Sequence, residues 1–482
     1  MSLRDKYEVV IGLEVHAQLL TKTKAYSSDE NIYGAIPNTK TSVISLGHPG
    51  TLPRSNSKVI EYAVRMGIAV GSNIRERNEY ARKNYFYADL PKGYQITQDT
   101  TPICNGGVIK IKDANGKPKD IKITRIHMEE DAGKSIHDLD PFNTLVDLNR
   151  AGVPLIEVVS EPDVRSSDEA YQYINEVRKL VRYLDICDGN MEEGSLRCDA
   201  NISVMLKGAT EFGTKVEVKN MNSTRNVKRA IEFEIDRQIA LVEAGKEVSH
   251  ETRSFNAANN TTVSMRHKEE ANDYRYFPEP DLQAVIVTPE YIEQVKSKLP
   301  PLPNELYKKF TTEFGLSDYD TNILTDEKGI ALYYNELCSK TKNYKSAANF
   351  VNGSIKSYLN EKAISIADFS ITPERIASLI SIVDDGKVSN TVATSKVFPA
   401  MLNCNDTANK IATDNNWIQE SNSDALADYI TQAIAKYPEK AAEYKNGKKG
   451  LIGLFMGEVM KLSKGKADPK LANQLLRIEL EK

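Results

Sequence analysis

Three consecutive carboxylates, Glu129, Glu130 and Asp131, stand in the segment Arg125-Ile-His-Met-Glu-Glu-Asp-Ala-Gly-Lys-Ser135, behind a histidine and beside a glycine and a lysine. Ile11-Gly-Leu-Glu-Val-His16, Met191-Glu-Glu-Gly-Ser-Leu-Arg-Cys-Asp199 and Lys215-Val-Glu-Val-Lys-Asn220 share that acidic character, and all lie in the first half of the chain. Carboxylates repel one another, so a folded chain that gathers them needs a compensating cation. Oxygen-rich clusters with few thiols suit Mg2+, and Mg2+ suits phosphoryl transfer. The first expectation is therefore an ATP-using enzyme of carboxylate chemistry.

The elements around these residues follow from periodicity. Tyr7-Glu-Val-Val-Ile-Gly-Leu-Glu-Val-His-Ala-Gln-Leu19 alternates as a strand does, which puts Glu14 and His16 on one face. Alternating apolar residues lead from Asp120 straight into the three acids and place them at a strand end. If that strand continues, Glu129 and Asp131 share one face and Glu130 takes the other. Further strands are expected at 41–45, 107–111, 145–148, 201–206 and 214–219, with Ala114-Asn-Gly-Lys117 as a hairpin turn. Residues 59–70 read as a helix. Another follows Glu161-Pro-Asp163, with Ser166 and Ser167 as candidate caps and an apolar stripe through Tyr171, Ile174, Val177, Leu180 and Leu184. A long helix covers about 227–244. Strands with packed helices predict an α+β domain over 1–294. Pro300, Pro301 and Pro303 punctuate the chain, and helical patterns fill the rest, divided into a helical domain at 295–405 and a small helical tail at 406–482.

A length of 482 residues implies two to four domains. A net charge of -4 argues against a molecule that binds nucleic acid over its whole surface, so any basic surface is local. One such stretch lies in the tail, where Lys445, Lys448, Lys449, Lys461, Lys464, Lys466 and Lys470 face only Glu458 and Asp468. It reads either as an RNA-backbone contact or as an ordinary solvated lysine face. Five scattered cysteines with no CxxC pair indicate neither a disulfide framework nor a thiolate zinc site, and a reducing cytoplasm fits them. The N-terminus has no apolar signal region, and no window approaches the roughly 20 apolar residues of a membrane span.

Gly133-Lys134-Ser135 looks like the end of a phosphate-binding loop, but the required earlier glycine is Met128, which excludes that motif. Phosphoryl transfer would have to be built from separate carboxylates. Arg82-Lys-Asn-Tyr-Phe-Tyr-Ala-Asp89 and Asp273-Tyr-Arg-Tyr-Phe-Pro-Glu-Pro-Asp281 interleave cations with aromatics. The mix suits a nucleotide or a single-stranded RNA end, or else a tyrosine-rich packed corner.

Together with Asp147-Leu-Asn-Arg-Ala-Gly-Val-Pro-Leu-Ile-Glu157, these ordered motifs resemble the GatB family, the B subunits of glutamyl/aspartyl-tRNA amidotransferases, from about residue 7 to the last helix. The resemblance implies an N-terminal cradle whose mainly antiparallel sheet is similar to that of glutamine synthetase and the guanidino kinases, then a helical domain and a YqeY-like tail that hold tRNA. It implies a GatA-type amidase partner that releases ammonia and a small GatC-type partner that clasps both. It implies ATP-dependent phosphorylation of the side-chain carboxylate on misacylated Glu-tRNA(Gln) or Asp-tRNA(Asn), followed by amidation.

Carried onto this chain, the resemblance makes Glu130, Glu129 and Asp131 the catalytic acids, and His16, Glu130, Glu14 and Glu217 the metal ligands, with His16 alternatively hydrogen-bonding a bound water. Glu129, Glu192 and Asp199 order ATP or back the metal. Arg197, Lys215 and Lys219 neutralise phosphate charge. Asn149, Arg150 and Arg275 meet the aminoacyl end. Many relatives hold zinc with four cysteines before the motif that is here Pro49-Gly-Thr-Leu-Pro53, but that interval has no cysteine in this chain, so no structural zinc is expected. A competing reading makes the chain a tRNA scaffold whose acids are structural. A free-standing ligase is disfavoured, because no ammonia-generating triad can be placed. The enzyme reading expects ATP hydrolysis that depends on misacylated tRNA, and loss of activity with retention of fold in Glu130→Gln. Full transamidation by that variant would overturn the site assignment.

Overall fold

Alternation in the first strand decides the architecture. In Tyr7–Gln18, Ile11, Leu13, Val15 and Ala17 are fully buried on one side, while Glu14 and His16 point to the other. The computed structural model describes residues 3–267, 274–419, 423–463 and 465–481. Asp273 and Lys464, which belong to two of the sequence motifs, lie outside the described residues.

Among the described residues the first strand sits mid-way in a ten-stranded sheet. On one side of it follow Leu196–Leu206, Val216–Lys219, Glu251–Asn256 and Thr261–His267. On the other side follow Pro154–Ser160, Pro118–Glu130, Cys104–Asn105 and Asn73–Ile74, with Val108–Lys112 pairing the start of Pro118–Glu130. Every pairing is antiparallel except that of Val216–Lys219 with Glu251–Asn256. Three helices, Ser57–Val70, Ser167–Tyr183 and Thr224–Glu243, bury their apolar stripes with one face of this sheet in a single core. Each fully buried aliphatic side chain there contributes about 1.5–3 kcal/mol. The other face stays open, and that is where Glu14 and His16 point.

The helix starts are fixed by hydroxyl caps. Ser166 Oγ accepts from Glu169 N, and Ser223 Oγ accepts from Asn226 N. Ser167, the other expected cap, instead donates its hydroxyl to Glu232. Tyr171 is 40% exposed and does not belong to the apolar stripe; Tyr173 takes the buried place. The long helix begins at Thr224, three residues before its expected start, because Ser223 rather than the first apolar residue sets the boundary.

Residues 41–45 form a turn, not the expected strand. The cause is Asp29, whose carboxylate accepts from Ser42 N at 2.9 Å, Ser42 Oγ at 3.0 Å and Ser45 Oγ. Local hydroxyl and amide bonds to one carboxylate compete with a sheet ladder. Lys24, with its side chain fully buried, lies 3.9 Å from Asp29 and donates to Leu148 O at 3.5 Å.

The chain divides into two compact units, Met1–Leu302 and Pro303–Lys482, at the proline cluster. The second is helical among its described residues. Its last helices share a core of Leu426, Ile430, Phe455, Val459, Leu476 and Leu480. Several tail lysines are paired there: Lys436 with Glu458, Lys448 with Glu443 and Lys449 with Glu481. Among the described residues no helix is long and apolar enough to cross a membrane.

Burial pushes the Lys24 ammonium down to about 8, against the pull of Asp29 and Glu130. A lysine whose folded pKa lies below its unfolded value opposes folding most fully below about pH 8, and that penalty fades as pH rises toward 10.5. Lys24→Met is expected to raise stability at pH 7 by about 1–3 kcal/mol, with the gain shrinking above pH 8. Urea unfolding at pH 7 and pH 10 checks this, and a lower midpoint at pH 7 would contradict it.

Candidate active site

Strand register gathers the polar residues of the open face into rows. His127 lies opposite Glu157, Glu157 opposite His16, and His16 opposite Arg197. In the neighbouring row Glu14 lies opposite Asp199, and beyond it Asn201 opposes Glu217. Five separate strands therefore deliver one cluster, because side chains directly across antiparallel strands sit about 4.5–5.5 Å apart.

Two groups of candidate ligands result. His16, Glu129 and Glu157 place ligand atoms within 4.8 Å of one another, and so do Glu14, Asp199 and Glu217. In the first, His16 Nε2 is 3.3 Å from Glu157 and 3.5 Å from Glu129, while His127 Nε2 is 3.2 Å from Glu157. His127 is 3% exposed in its side chain, and its Nδ1 has no hydrogen-bond partner among the described residues. In the second, Lys219 reaches both Asp199 and Glu217, Asn201 Nδ2 donates to Glu14 at 2.8 Å, and Thr252 Oγ1 donates to Glu217 at 2.8 Å.

Cations rim the groups. Arg197 donates to Asp131 at 2.8 Å, Gln18 donates to the same oxygen at 2.8 Å, and Arg150 stands 3.8 Å away. Lys83 lies over the Tyr274 ring at 4.8 Å and feels the charge of Glu129. Burial opposes ionisation of Asp131, but Arg197 and Arg150 hold its carboxyl below the ordinary value. Burial and the neighbouring Glu157 and Asp199 push Glu14 up, although Lys219 pulls the other way. Burial alone would lower His16, yet Glu157 and Glu129 outweigh it and raise the imidazole to about 9. Of these, His16, Lys83, Glu129, Asp131, Arg197, Asp199 and Lys219 line a cavity of about 660 Å3, with Tyr85, Gln95, Met191, Glu192, Asn222 and Phe255 completing its walls.

The cavity unites much of the predicted site: His16, Glu129, Asp131, Glu192, Arg197, Asp199 and Lys219 line it. Glu14 and Glu217 adjoin it through Asp199. Glu130 does not join them. It ends the strand pointing to the opposite face, pairs with Lys92, accepts from Ile96 N at 2.9 Å, and borders a separate cavity of about 190 Å3. The predicted ligand set of His16, Glu14, Glu130 and Glu217 is thus not one cluster. The physical reason is the two-residue period of the strand, which turns adjacent acids back to back. Lys215 lines a different small cavity beside Glu14. Asn149 stitches loops, accepting from Lys40 N and donating to Ile36 O. Arg150 donates to the carbonyls of Ala132 and Gly133. Arg275 is exposed at φ 45° and does not line the cavity.

Residue-type reasoning passes over Glu157, His127 and Lys83 as site residues. Glu157 stands in a motif singled out for its other members, and the signal is there: a lone acid at the alternate position of an apolar strand, between Leu155 and Val159. His127 shares its face with Glu129, two residues on.

A half-open antiparallel sheet carrying carboxylates and imidazoles over a cation-rimmed cleft defines an α+β enzyme domain. The family model of the GatB/GatE catalytic domain matches residues 9–293, and that of the GatB domain matches residues 332–480. The chain is 47% identical over 477 residues to the B subunit of the aspartyl/glutamyl-tRNA(Asn/Gln) amidotransferase of Alkalilimnicola ehrlichii, covering 99% of this chain and 100% of that protein. It is 47% identical over 478 residues to the like-named protein of Syntrophotalea carbinolica, with 99% of each covered. The chain belongs to the GatB family.

In the metal-free chain His16 is expected to keep its proton to about pH 9. Its contribution to stability is complete below its unfolded value of about 6.5 and is lost as pH rises through 9. Glu157→Gln should lower the imidazole pKa by a unit or more, about 1.4 kcal/mol each. Imidazole NMR titration of both proteins reads this directly, and an unmoved His16 would show that Glu157 does not set its charge.

Proposed function

We propose that this chain amidates the side-chain carboxylate of Glu on tRNA(Gln), Asp on tRNA(Asn), or both, using ATP and ammonia delivered by a GatA-type amidase partner, with a GatC-type small subunit completing a cytoplasmic complex. The observation that carries the reading is the pair of acid groups, one with a histidine, facing a single cleft rimmed by Arg197, Lys219 and Lys83.

The donor set fits Mg2+: five carboxylates supply hard oxygen ligands, the Cys198 thiol at the same cavity is kept protonated by burial, and the buried Nδ1 of His127 behind Glu157 has no partner among the described residues. His16, Glu129 and Glu157 would hold one ion, and Glu14, Asp199 and Glu217 another. When bound, Mg2+ supplies charge neutralisation of phosphate oxygens. Glu130 lies outside this assignment because it faces Lys92.

A carboxylate is a poor electrophile, since its leaving group would be oxide-like. Attack of its oxygen on the γ-phosphorus of ATP expels ADP and leaves an acyl phosphate. Ammonia then attacks the acyl carbon, phosphate departs, and the new amide nitrogen sheds a proton. Arg197, fixed by Asp131, and Lys219 counter the phosphate charge through both steps. Glu129, held by Gln95 Nε2 at 3.0 Å, is positioned to take the proton. Tyr85, braced edge-on by Tyr274, and Phe255 give the cleft apolar wall, and the bound aminoacyl end would complete the exclusion of water from the acyl phosphate.

The test is conversion of radiolabelled Glu-tRNA(Gln) to Gln-tRNA(Gln) by the complex with its partner subunits, ATP, Mg2+ and ammonium chloride. Glu157→Gln and Glu129→Gln should each lose about 10²-fold or more in kcat while retaining tRNA binding. Full conversion by both variants would leave the chain a tRNA scaffold.

A further inference from the structure

A second cavity, of about 480 Å3, adjoins the cleft and shares Met191, Glu192 and Asn222 with it. Its cationic wall is Arg178 and Arg182, four apart on the Ser167–Tyr183 helix and therefore side by side, about 5–6 Å between Cβ atoms. Arg178 is fixed in place: its Nε donates to Gly189 O at 2.8 Å. Gly189, at φ +70°, must lack a side chain here, because a Cβ would come within 2.8 Å of the Arg178 stem. Both guanidinium ends lack an acidic partner among the described residues, whereas Lys179 on the same helix pairs with Glu176 at 2.6 Å. The acids of this cavity are Asp188 and Glu192. Asp188 is already engaged through both oxygens, accepting from Asn190 N at 2.8 Å and Ser195 Oγ at 3.2 Å. Glu192 stands on the rim shared with the cleft.

Two guanidinium groups left unpaired in an acidic chain, beside the entrance of a cleft, are suited to phosphate. We propose that Arg178 and Arg182 bind the phosphodiester backbone of the RNA arm whose 3′ end enters the cleft. The inference rests on the reading that the cleft takes aminoacyl-tRNA, and it adds the surface that seats the arm. A strand of RNA offers successive phosphates to two neighbouring cations, whereas the phosphates of ATP must reach the carboxylate groups inside the first cavity. The shelf positions the acceptor strand and touches no reacting atom.

The experiment compares the complete complex carrying Arg178→Gln/Arg182→Gln with the native complex. Filter binding of Glu-tRNA(Gln) is measured from 50 to 300 mM KCl, alongside the KM for ATP and a thermal melt. Expected are weaker tRNA binding by about tenfold at low salt, a slope of log Kd against log salt smaller by about 1–2, an unchanged KM for ATP, and a single cooperative melt lowered only by the loss of the Arg178–Gly189 hydrogen bond. Arg178→Lys/Arg182→Lys should restore most of the slope, since charge counts there more than shape. Unchanged tRNA affinity and slope in the double Gln variant overturn the proposal. So does a raised KM for ATP with tRNA affinity intact, which would assign the phosphate to the nucleotide. If the native complex itself neither binds nor amidates the tRNA, the functional reading fails instead, so the two failures are distinguishable.

Discussion

Like-charge repulsion on one face of a sheet is the constraint from which the rest of this structure follows. Glu14, Asp199 and Glu217 hold ligand oxygens within 4.8 Å of one another, and Glu129 and Glu157 crowd His16 in the same way. Two unit charges 4 Å apart repel by about 4 kcal/mol at the effective dielectric of a partly buried site. A flexible loop would relax that repulsion by moving. A central strand with a neighbour on each side cannot, because a shift by one residue would turn Glu14 and His16 into the helix layer and Ile11, Leu13 and Val15 into the cleft. The burial of three helices on the far face therefore holds the acids together on the near face.

The cations around the cleft take their places from the same frame. Arg197 and Lys219 each lie two residues from an acid on their own strand, so they rise on the same side of the sheet. Asp131, just past the end of its strand, ties Arg197, Gln18 and Arg150 to one point and so joins the sheet to the loop that follows. The back of that strand end carries an independent arrangement, the Glu130–Lys92 pair, whose members face away from the ligands. One strand terminus thus serves two chambers, and the two-residue period keeps their charges from mixing.

How much of this is legible in the sequence follows from what period and residue type encode. The strand through Glu14 and His16, the helix after Ser166 and the split of Glu129 from Glu130 are readable from local periodicity, whereas the mainly antiparallel sheet comes only from the family resemblance. Which of Glu129 and Glu130 stands beside His16 is not a local matter. It depends on which face the neighbouring strand, some thirty residues on, turns toward the cleft. Glu157 escapes for the same reason: its meaning comes from standing opposite both His16 and His127, a registry set by pairings about 140 and 30 residues apart. The turn at 41–45 reads as a strand because Thr, Val and Ile favour strands, while the carboxylate that overrides them sits a dozen residues earlier.

The imidazoles give this acid cluster a property that carboxylates alone would lack. Before any metal arrives, His16 is held protonated by Glu157 and Glu129, and the proton serves as a small internal cation between them. Burial opposes ionisation of Glu157, yet His16 and His127 keep it far below the ordinary range. Glu157 is thus kept ionised between the two imidazoles. Were His16 to ligate a cation, its imidazole would have to be unprotonated, so the proton would leave as the cation bound. Such an exchange would trade one small positive charge for a larger one. The paired strands, which hold the carboxylates in register whatever their charge partner, would carry the site through it.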